Sequence, residues 1–170
     1  MFPLLADLHR KREVFTEDGA PISLLRCVFT DGTSANTLYR AMCFFRRYRI
    51  APLNLAFQYL NKLLNHCVIG AGVEFDTGFV IMHSTGIVIN SAVRGGNNIT
   101  LESGVVIGAE KGKSPVLGNN IFVGAGAKIV GGVVIGDGAK IGANAVVVHD
   151  VMPGDTVVGI PAKPIKKRTS

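Results

Sequence analysis

Aliphatic and aromatic residues recur at every sixth position from the middle of the chain towards its C-terminal end. The series keeps one phase in two stretches, which are separated by a short interruption. A period of six matches neither the helical repeat of about 3.6 residues nor the alternation of an ordinary strand. It predicts a β-solenoid, in which each hexad supplies one short strand and one turn. The recurring residues are Ile69, Phe75, Ile81, Ile87, Val93, Ile99 and Val105, then Leu117, Val123, Ile129, Ile135, Ile141 and Val147.

The predicted solenoid has triangular coils, because three hexads close one turn of the chain. Stacked coils satisfy one another's backbone hydrogen bonds and share one core, so the ends of the stack need a cover. The length of the repeat predicts about four coils over residues 66–160. A charged, glycine-rich loop at residues 109–116 interrupts the repeat. This loop is expected to project outward.

The N-terminal part of the chain, residues 1–65, lacks the six-residue period and has helical spacing instead. A long helical pattern runs from Asn36 to Asn65, and Pro52 is predicted to divide it into two helices. We expect these helices to cap one end of the solenoid. Residues 161–170 form a third segment, a basic C-terminal tail.

The chain carries a formal net charge of +6, so it attracts anions such as nucleic acid, anionic lipid or coenzyme A. One predicted helix is basic and amphipathic, which leaves weak association with a membrane surface open. The aromatic residues of that helix have the spacing of a packed core rather than of a nucleic-acid groove. Nucleic acid is therefore not an expected partner. The basic residues of this helix are Arg40, Arg46, Arg47 and Arg49.

The N-terminus shows no secretory signal, and no apolar run approaches the roughly 20 residues of a membrane span. The three cysteines, Cys27, Cys43 and Cys67, have no paired spacing typical of a metal site or a disulfide framework. Reduced thiols are typical of a reducing compartment. These features predict a cytoplasmic protein.

Several segments in order resemble the hexapeptide-repeat acyltransferases, and within them the serine acetyltransferase-like branch. The resemblance covers residues 68–167 closely. Its segments are Met82-His83-Ser84-Thr85-Gly86, Val105-Val106-Ile107-Gly108, Val123-Gly124-Ala125-Gly126-Ala127-Lys128, Ile141-Gly142-Ala143-Asn144 and Val158-Gly159-Ile160-Pro161-Ala162-Lys163. The resemblance implies a left-handed parallel β-helix, a homotrimer with active sites between subunits, and acetyl-CoA as the donor.

His83 is the predicted catalytic residue. It follows the inward Ile81 by two positions, so it is expected on the outside of the coil. In the family that the chain resembles, the matching histidine takes the proton of the acceptor hydroxyl while its oxygen attacks the thioester. Imidazole suits this step because its ordinary pKa of about 6.5 lies near neutrality. His9, His66 and His149 lie outside the motifs and are expected to have no catalytic role.

The resemblance also implies which residues bind acetyl-CoA. Small side chains let the pantetheine arm lie close to backbone amides and carbonyls. A basic C-terminal segment suits the phosphates of CoA. The residues assigned to CoA are Gly108, Ala109, Ala125, Ala143, Lys163, Lys166 and Lys167, with Arg168 also in the tail.

Three departures from the serine acetyltransferase pattern bear on the acceptor. Met82 stands where the family has an aspartate that holds the ammonium group of serine, Ser114 replaces a second histidine, and Val68 replaces an acid. These departures favour a hydroxyl of a sugar or of a polysaccharide precursor as the acceptor. The acid that orients His83 stays open. The candidates for it are Glu74, Asp76 and Glu102.

The leading hypothesis is therefore a sugar or polysaccharide O-acetyltransferase. The alternatives are a serine O-acetyltransferase, an N-acyltransferase for a sugar amine, and a noncatalytic solenoid scaffold. A metal-dependent carbonic anhydrase of the same fold would need three histidine ligands at one site, and the four histidines of this chain are scattered. No metal is expected.

Overall fold

The computed structural model describes residues 3–165. Four helices come first, and fifteen short strands follow. The helices are α1 Pro3–Glu17, α2 Leu24–Val28, α3 Thr33–Arg47 and α4 Ala51–Asn65. The strands are β1 Val68–Ile69, β2 Glu74–Phe75, β3 Val80–Ile81, β4 Val88–Ile89, β5 Arg94–Gly95, β6 Thr100–Leu101, β7 Val106–Gly108, β8 Val116–Leu117, β9 Phe122–Val123, β10 Lys128–Val130, β11 Val134–Ile135, β12 Lys140–Ile141, β13 Val146–Val147, β14 Thr156–Val158 and β15 Lys163–Pro164.

The strands form a parallel β-helix of about four turns, which confirms the predicted solenoid. Three flat sheets make its sides, in the orders β1-β4-β7-β10-β13, β2-β5-β8-β11 and β3-β6-β9-β12-β14-β15. Most strands pair with the strand three places further along the chain, as three strands per coil require. The interior is filled by aliphatic side chains such as Ile107, Ile129 and Ile141, which are fully buried.

The inward series does not keep one phase along the chain, contrary to the prediction. Ile81 of β3 is followed on the next strand by Ile89, which pairs with Ile69, so the turn between β3 and β4 is two residues longer than a hexad allows. The loop between β7 and β8 adds four residues more, and the two insertions together equal one repeat. The apparent phase is therefore restored at Leu117. Ile87 and its successors up to Val105 are buried, but at turn positions rather than on strands.

The N-terminal helices cover the first coil, and α3 supplies the centre of the contact. Tyr39 is fully buried against Phe79, and its hydroxyl accepts a hydrogen bond of 2.9 Å from the backbone N–H of Phe75. From α1, the carboxylate of Asp7 accepts the backbone N–H of Gly78 at 2.9 Å and that of Phe79 at 3.0 Å. These bonds satisfy strand-edge donors that would otherwise be buried without a partner. Pro52 stands at the start of α4, as predicted from the sequence.

The C-terminal segment folds back on the last coil before the described residues end. β15 pairs antiparallel with β14, and the N–H of Ile165 donates to the carbonyl of Thr156 at 2.9 Å. Lys163 of the predicted tail is thus part of a sheet. Lys166, Lys167 and Arg168 lie outside the described residues. Among residues 3–165, none of the helices combines the length and the apolar character that a membrane crossing requires.

Candidate active site

His83 lies on the extended turn between β3 and β4, the same turn that carries the two additional residues. Its side chain is 61% exposed. The preceding strand position, Ile81, is fully buried, so the chain turns from the core to the surface within two residues. The longer turn thus places an imidazole on the outer side of the coil.

Asp31 is the acid beside His83. It lies in the loop between α2 and α3, and its Oδ2 is 3.1 Å from Nδ1 of His83. Its Oδ1 accepts hydrogen bonds from the backbone N–H of Gly32 at 2.6 Å and from the hydroxyl of Ser84 at 3.3 Å. Partial burial acts to raise the pKa of Asp31, but the hydrogen bonds from His83, Gly32 and Ser84 and the charge of His83 outweigh it, so the net pKa lies below its ordinary value.

The ionised Asp31 decides which nitrogen of His83 carries the proton. A carboxylate can only accept hydrogen bonds, so Nδ1 of a neutral His83 must be the protonated nitrogen. Nε2 then has a free lone pair. The pair is therefore arranged to accept a proton at Nε2 and to stabilise the imidazolium that results.

Gly32 allows the loop to bring Asp31 so close to the β-helix. Its φ of 76° is left-handed, and a Cβ at this position would collide with the backbone carbonyl of Ile81. Sequence analysis missed Asp31. The available signal was the Asp31-Gly32 turn dipeptide directly before a helix. Pattern alone does not say that this turn meets a strand 50 residues further on.

The three acids proposed from sequence to orient His83 are wrong for that role. Glu74 is engaged elsewhere, with Arg46 at 2.9 Å and Arg94 at 3.2 Å. Asp76 is exposed after β2, and Glu102 has no hydrogen bond to His83 among the described residues. A strand-borne acid was expected because the sequence gives no distance between the helices and the coil. The acid comes instead from the helical segment.

Glu102 is nevertheless part of the surroundings of His83. β6 pairs with β3, and the backbone N–H of Met82 donates to the carbonyl of Leu101 at 3.0 Å, so Glu102 lies on the neighbouring coil. Its side chain is half-buried, and this burial raises its pKa. The positive charges of His83 and Lys11 act in the opposite direction, while the carboxylate of Asp18 acts to raise the pKa further.

Met82 does not face the open side of the site. It is only 7% exposed and packs with Val14, Val80 and Phe15 between α1 and the β-helix. An apolar residue at this position therefore serves the packing of α1 against the β-helix. Its use to exclude an ammonium-bearing acceptor was wrong for this physical reason.

Two of the small residues assigned to CoA share a corner of the β-helix with His83. Thr85, Ser103 and Ala125 occupy this corner on successive coils, as the bonds from Gly104 N–H to the Thr85 carbonyl (2.9 Å) and from Gly126 N–H to the Ser103 carbonyl (2.8 Å) show. Asn144, next to Ala143, continues the column by donating to the carbonyl of Ala125 at 2.8 Å. The corner is lined by threonine, serine, alanine and glycine, all of which have small side chains.

The other residues assigned to CoA lie elsewhere. Gly108 ends β7 and Ala109 follows it, so both lie at the next corner, where the loop leaves the coil. This loop closes on itself by hydrogen bonds of 2.9 Å between the backbones of Glu110 and Lys113. Lys163 is exposed on β15, at the far end of the stack. The structure therefore joins Ala125 and Ala143 to the His83 corner and places Lys163 on the last coil.

Comparison with known proteins identifies the family. Residues 114–149 match the family described as bacterial transferase hexapeptide (six repeats). A serine acetyltransferase from Helicobacter pylori is 37% identical over 140 residues, which cover 80% of this chain and 82% of the relative. One from Bacillus licheniformis is 35% identical over 88% of this chain and 72% of the relative. The chain belongs to the serine acetyltransferase branch of the hexapeptide-repeat transferases.

Solved structures agree with this assignment. The serine acetyltransferase of Neisseria gonorrhoeae superposes with a TM-score of 0.87 at 30% identity over 98% of this chain. A serine acetyltransferase in complex with CoA has a TM-score of 0.86 at 26% identity over 95% of this chain. The chain spans 66% of the first structure and 68% of the second.

The comparisons confirm the left-handed parallel β-helix and the enzyme class, an acyltransferase that uses acetyl-CoA. They contradict the predicted sugar or polysaccharide acceptor. The relatives named above are serine acetyltransferases that align over most of this chain, so they favour the serine alternative. The geometry gives the reason for the error, since a carboxylate beside His83 comes from Asp31 and not from the position of Met82.

Proposed function

We propose that the chain is a serine O-acetyltransferase, which converts L-serine and acetyl-CoA to O-acetylserine and free CoA. The observation that carries the proposal is the bond between Asp31 and His83, which provides a base of defined tautomer on an exposed turn. The kinship with serine acetyltransferases supports the choice of acceptor.

In the proposed mechanism, Nε2 of His83 takes the proton of the serine hydroxyl as its oxygen attacks the thioester carbonyl. Asp31 keeps the proton on Nδ1 and stabilises the positive imidazolium through its carboxylate at 3.1 Å. The tetrahedral intermediate then collapses, and the carbon–sulfur bond breaks. The imidazolium returns its proton to the leaving thiolate, so CoA leaves as a thiol and His83 is neutral again.

The charges around His83 suit an acceptor that carries an ammonium group. Asp31 comes from the α2–α3 loop and Glu102 from the coil beside His83, and Asp18, directly after α1, faces Glu102. These carboxylates can attract the ammonium group of an acceptor that binds beside His83. A neutral sugar hydroxyl has no charge to gain from them, whereas the amino group of serine does.

The donor side of the proposal uses the corner that begins at His83. The small side chains of Ala125 and Ala143 leave room for a pantetheine arm close to the backbone, and Lys163 on the last coil can pair with a phosphate of CoA. Gly108 and Ala109 stay assigned to CoA as a prediction at the neighbouring corner. Lys166 and Lys167 stay predictions that fall outside the described residues.

We also propose a homotrimer located in the cytoplasm. Apolar side chains on the outer faces of the coils are 37% to 51% exposed, which is typical of a surface that another subunit covers. These side chains are Val88, Val116, Phe122 and Val134. Light scattering should give three times the mass of the chain; the mass of a single chain would refute the trimer.

The proposed location in the cytoplasm is supported by the cysteines. They are free thiols, and two of them are buried, as suits a reducing compartment that supplies acetyl-CoA.

Release of free thiol from acetyl-CoA tests the proposed acceptor. L-Serine should be compared with 3-hydroxypropionate, which lacks the amino group, with ethanolamine, which lacks the carboxylate, and with glucose and N-acetylglucosamine. L-Serine should give the highest kcat/KM, and mass spectrometry should show the product as O-acetylserine. If acetyl-CoA binds but L-serine gives no thiol release above the rate of hydrolysis, the proposal is wrong.

A further inference from the structure

The mechanism above makes no use of Lys11, an ionisable residue that is only 3% exposed. It projects from α1 into the junction between the helices and the β-helix. Its ammonium donates to the backbone carbonyl of Ile81 at 3.0 Å, to the hydroxyl of Thr33 at 3.0 Å and to the backbone carbonyl of Asp31. Three oxygens thus match the three N–H bonds of one protonated lysine.

The three oxygens belong to the two segments that meet in the active site. One is the carbonyl of Asp31 itself, and Thr33 begins α3 directly after the same loop. The third is the carbonyl of Ile81, two residues before His83. A single cation therefore connects the loop that carries the acid to the strand that carries the base. Within residues 3–165, the direct bond from His83 to Asp31 is a contact between two largely exposed side chains, so it has little rigidity of its own.

Holding a charge at this position has a cost. Burial lowers the pKa of Lys11 to about 8, although the acidic groups that face it, Asp31, Cys27 and Glu102, act to raise it. The side chains of Val14 and Met82 at the same junction are apolar, so the ammonium depends on the three oxygens for its stabilisation. A buried charge whose bonds all go to the two segments of the site points to a role in the site.

We propose that Lys11 is a positioning residue, whose protonated amine holds the Asp31 loop against the His83 strand in the geometry required for catalysis. This inference rests on the proposed function, since it assumes that the pair of Asp31 and His83 performs the acetyl transfer. Lys11 touches neither substrate nor donor and acts through the backbone of the pair.

The protonation state of Lys11 gives the proposal a pH dependence. A neutral amine has two N–H bonds, so it cannot donate to three oxygens, and its lone pair repels the third. Activity at saturating substrate should therefore fall as the pH rises through about 8, the pKa of Lys11. The ionisable groups that face this amine are Cys27 of α2, Asp31 of the following loop, and Glu102 after β6. The pKa of Cys27 is raised by burial, so its thiol stays neutral through this range.

The experiment compares kcat as a function of pH in the full-length wild type, in Lys11→Met and Lys11→Arg, and in the control Arg12→Met. Arg12 is the next residue of α1 and is exposed. Lys11→Met should lower kcat about 10- to 100-fold, since small displacements of a reacting pair have effects of this size. It should also abolish the alkaline fall in kcat. Lys11→Arg, which stays protonated, should retain more activity than Lys11→Met and should also lack the fall. Arg12→Met should behave as the wild type.

The use of kcat at saturating L-serine removes the titration of the free amino acid from the profile. If Lys11→Met kept the kcat and the alkaline fall of the wild type, Lys11 would not position the pair. Should Lys11→Met fail to fold, the wild type still decides: NMR titration of the Lys11 side chain must give the same pKa as the alkaline fall in kcat, and a mismatch overturns the inference. A wild type that does not acetylate L-serine would refute the proposed function instead.

Discussion

The substitution Asp31→Asn tests the catalytic pair directly. It replaces the carboxylate by an amide of the same shape, and the amide oxygen can still accept the backbone N–H of Gly32. The fold of the loop should therefore survive. Two features of the site are lost: the negative charge beside the imidazolium, and the acceptor that keeps the proton on Nδ1 of His83.

The size of the effect follows from the distance. Two unit charges 3.1 Å apart attract by about 1 kcal/mol with the dielectric of water and by about 5 kcal/mol at an effective dielectric of 20. The side chains of His83 and Asp31 are 61% and 53% exposed, so solvent screening moves the value toward the lower end. A loss of about 2 to 3 kcal/mol corresponds to about 30- to 150-fold in rate. The amide can also donate to Nδ1 and favour the wrong tautomer, which lowers kcat further, to about 10²- to 10³-fold in total.

Thiol release at saturating L-serine measures this loss, and calorimetry should show acetyl-CoA binding unchanged. The matched control is Asp76→Asn, because Asp76 is an exposed aspartate on the first coil, away from His83. Its kcat should equal that of the wild type. If Asp31→Asn retained kcat within about threefold of the wild type while the folded His83→Ala variant was inactive, the bond at 3.1 Å would have no catalytic role, and the reasoning from charge and tautomer would be refuted.

Three further predictions follow from the same geometry. His83→Ala should lower kcat about 10²- to 10⁴-fold, the usual range for a lost general base, and should leave the acetyl-CoA affinity and the melting temperature unchanged because the side chain is largely exposed. A fully active variant would exclude His83 as the base. Glu102→Gln should raise the KM for L-serine more than it lowers kcat and should leave the KM for ethanol unchanged, because the half-buried carboxylate attracts the ammonium group of serine. Equal changes in KM for the two acceptors would show that Glu102 does not bind the ammonium group. The free energy of unfolding of the wild type, relative to that of Lys11→Met, should increase by about 3 kcal/mol as the pH rises from 8 to 10.5, because in that window the unfolded chain binds the Lys11 proton and the folded chain does not. A difference that stays constant with pH in denaturant titrations would show that folding does not lower the pKa of Lys11.

The sequence was sufficient for the β-helix because its signal is local and repeated. Each inward residue, such as Ile129 or Ile141, is specified by its own hexad, and errors in one coil do not propagate to the next. The phase of the series is not local in this sense. An insertion of two residues before Ile89 and one of four before Leu117 cancel over a full repeat, so periodicity conceals both. The insertion of two residues lies in the turn that carries His83.

The remaining parts of the site depend on contacts that no period encodes. Asp31 and His83 are 52 positions apart, and Lys11 and Ile81 are 70 apart. They approach each other because α1 and the α2–α3 loop pack on the first coil. This packing depends on Gly32 and on the hydrogen bonds that Asp7 accepts from the backbone of β-helix residues. The prediction from Met82 fails for the same reason. Its apolar side chain was expected to exclude an acceptor with an ammonium group, whereas it packs against Val14 of α1.

The distribution of chemistry between the two parts of the molecule has a physical reason. Successive coils of a β-helix stack about 4.8 Å apart and present the same corner, so side chains at one corner form a column of similar positions. Such a column suits an extended ligand, and here it is lined by small residues from Thr85 to Ala143. An acid that must approach one imidazole nitrogen from a different direction cannot come from that column without a further insertion. The helical segment supplies it through Asp31 and fixes it with Lys11, so the N-terminal helices complete the proposed active site as well as covering the first coil.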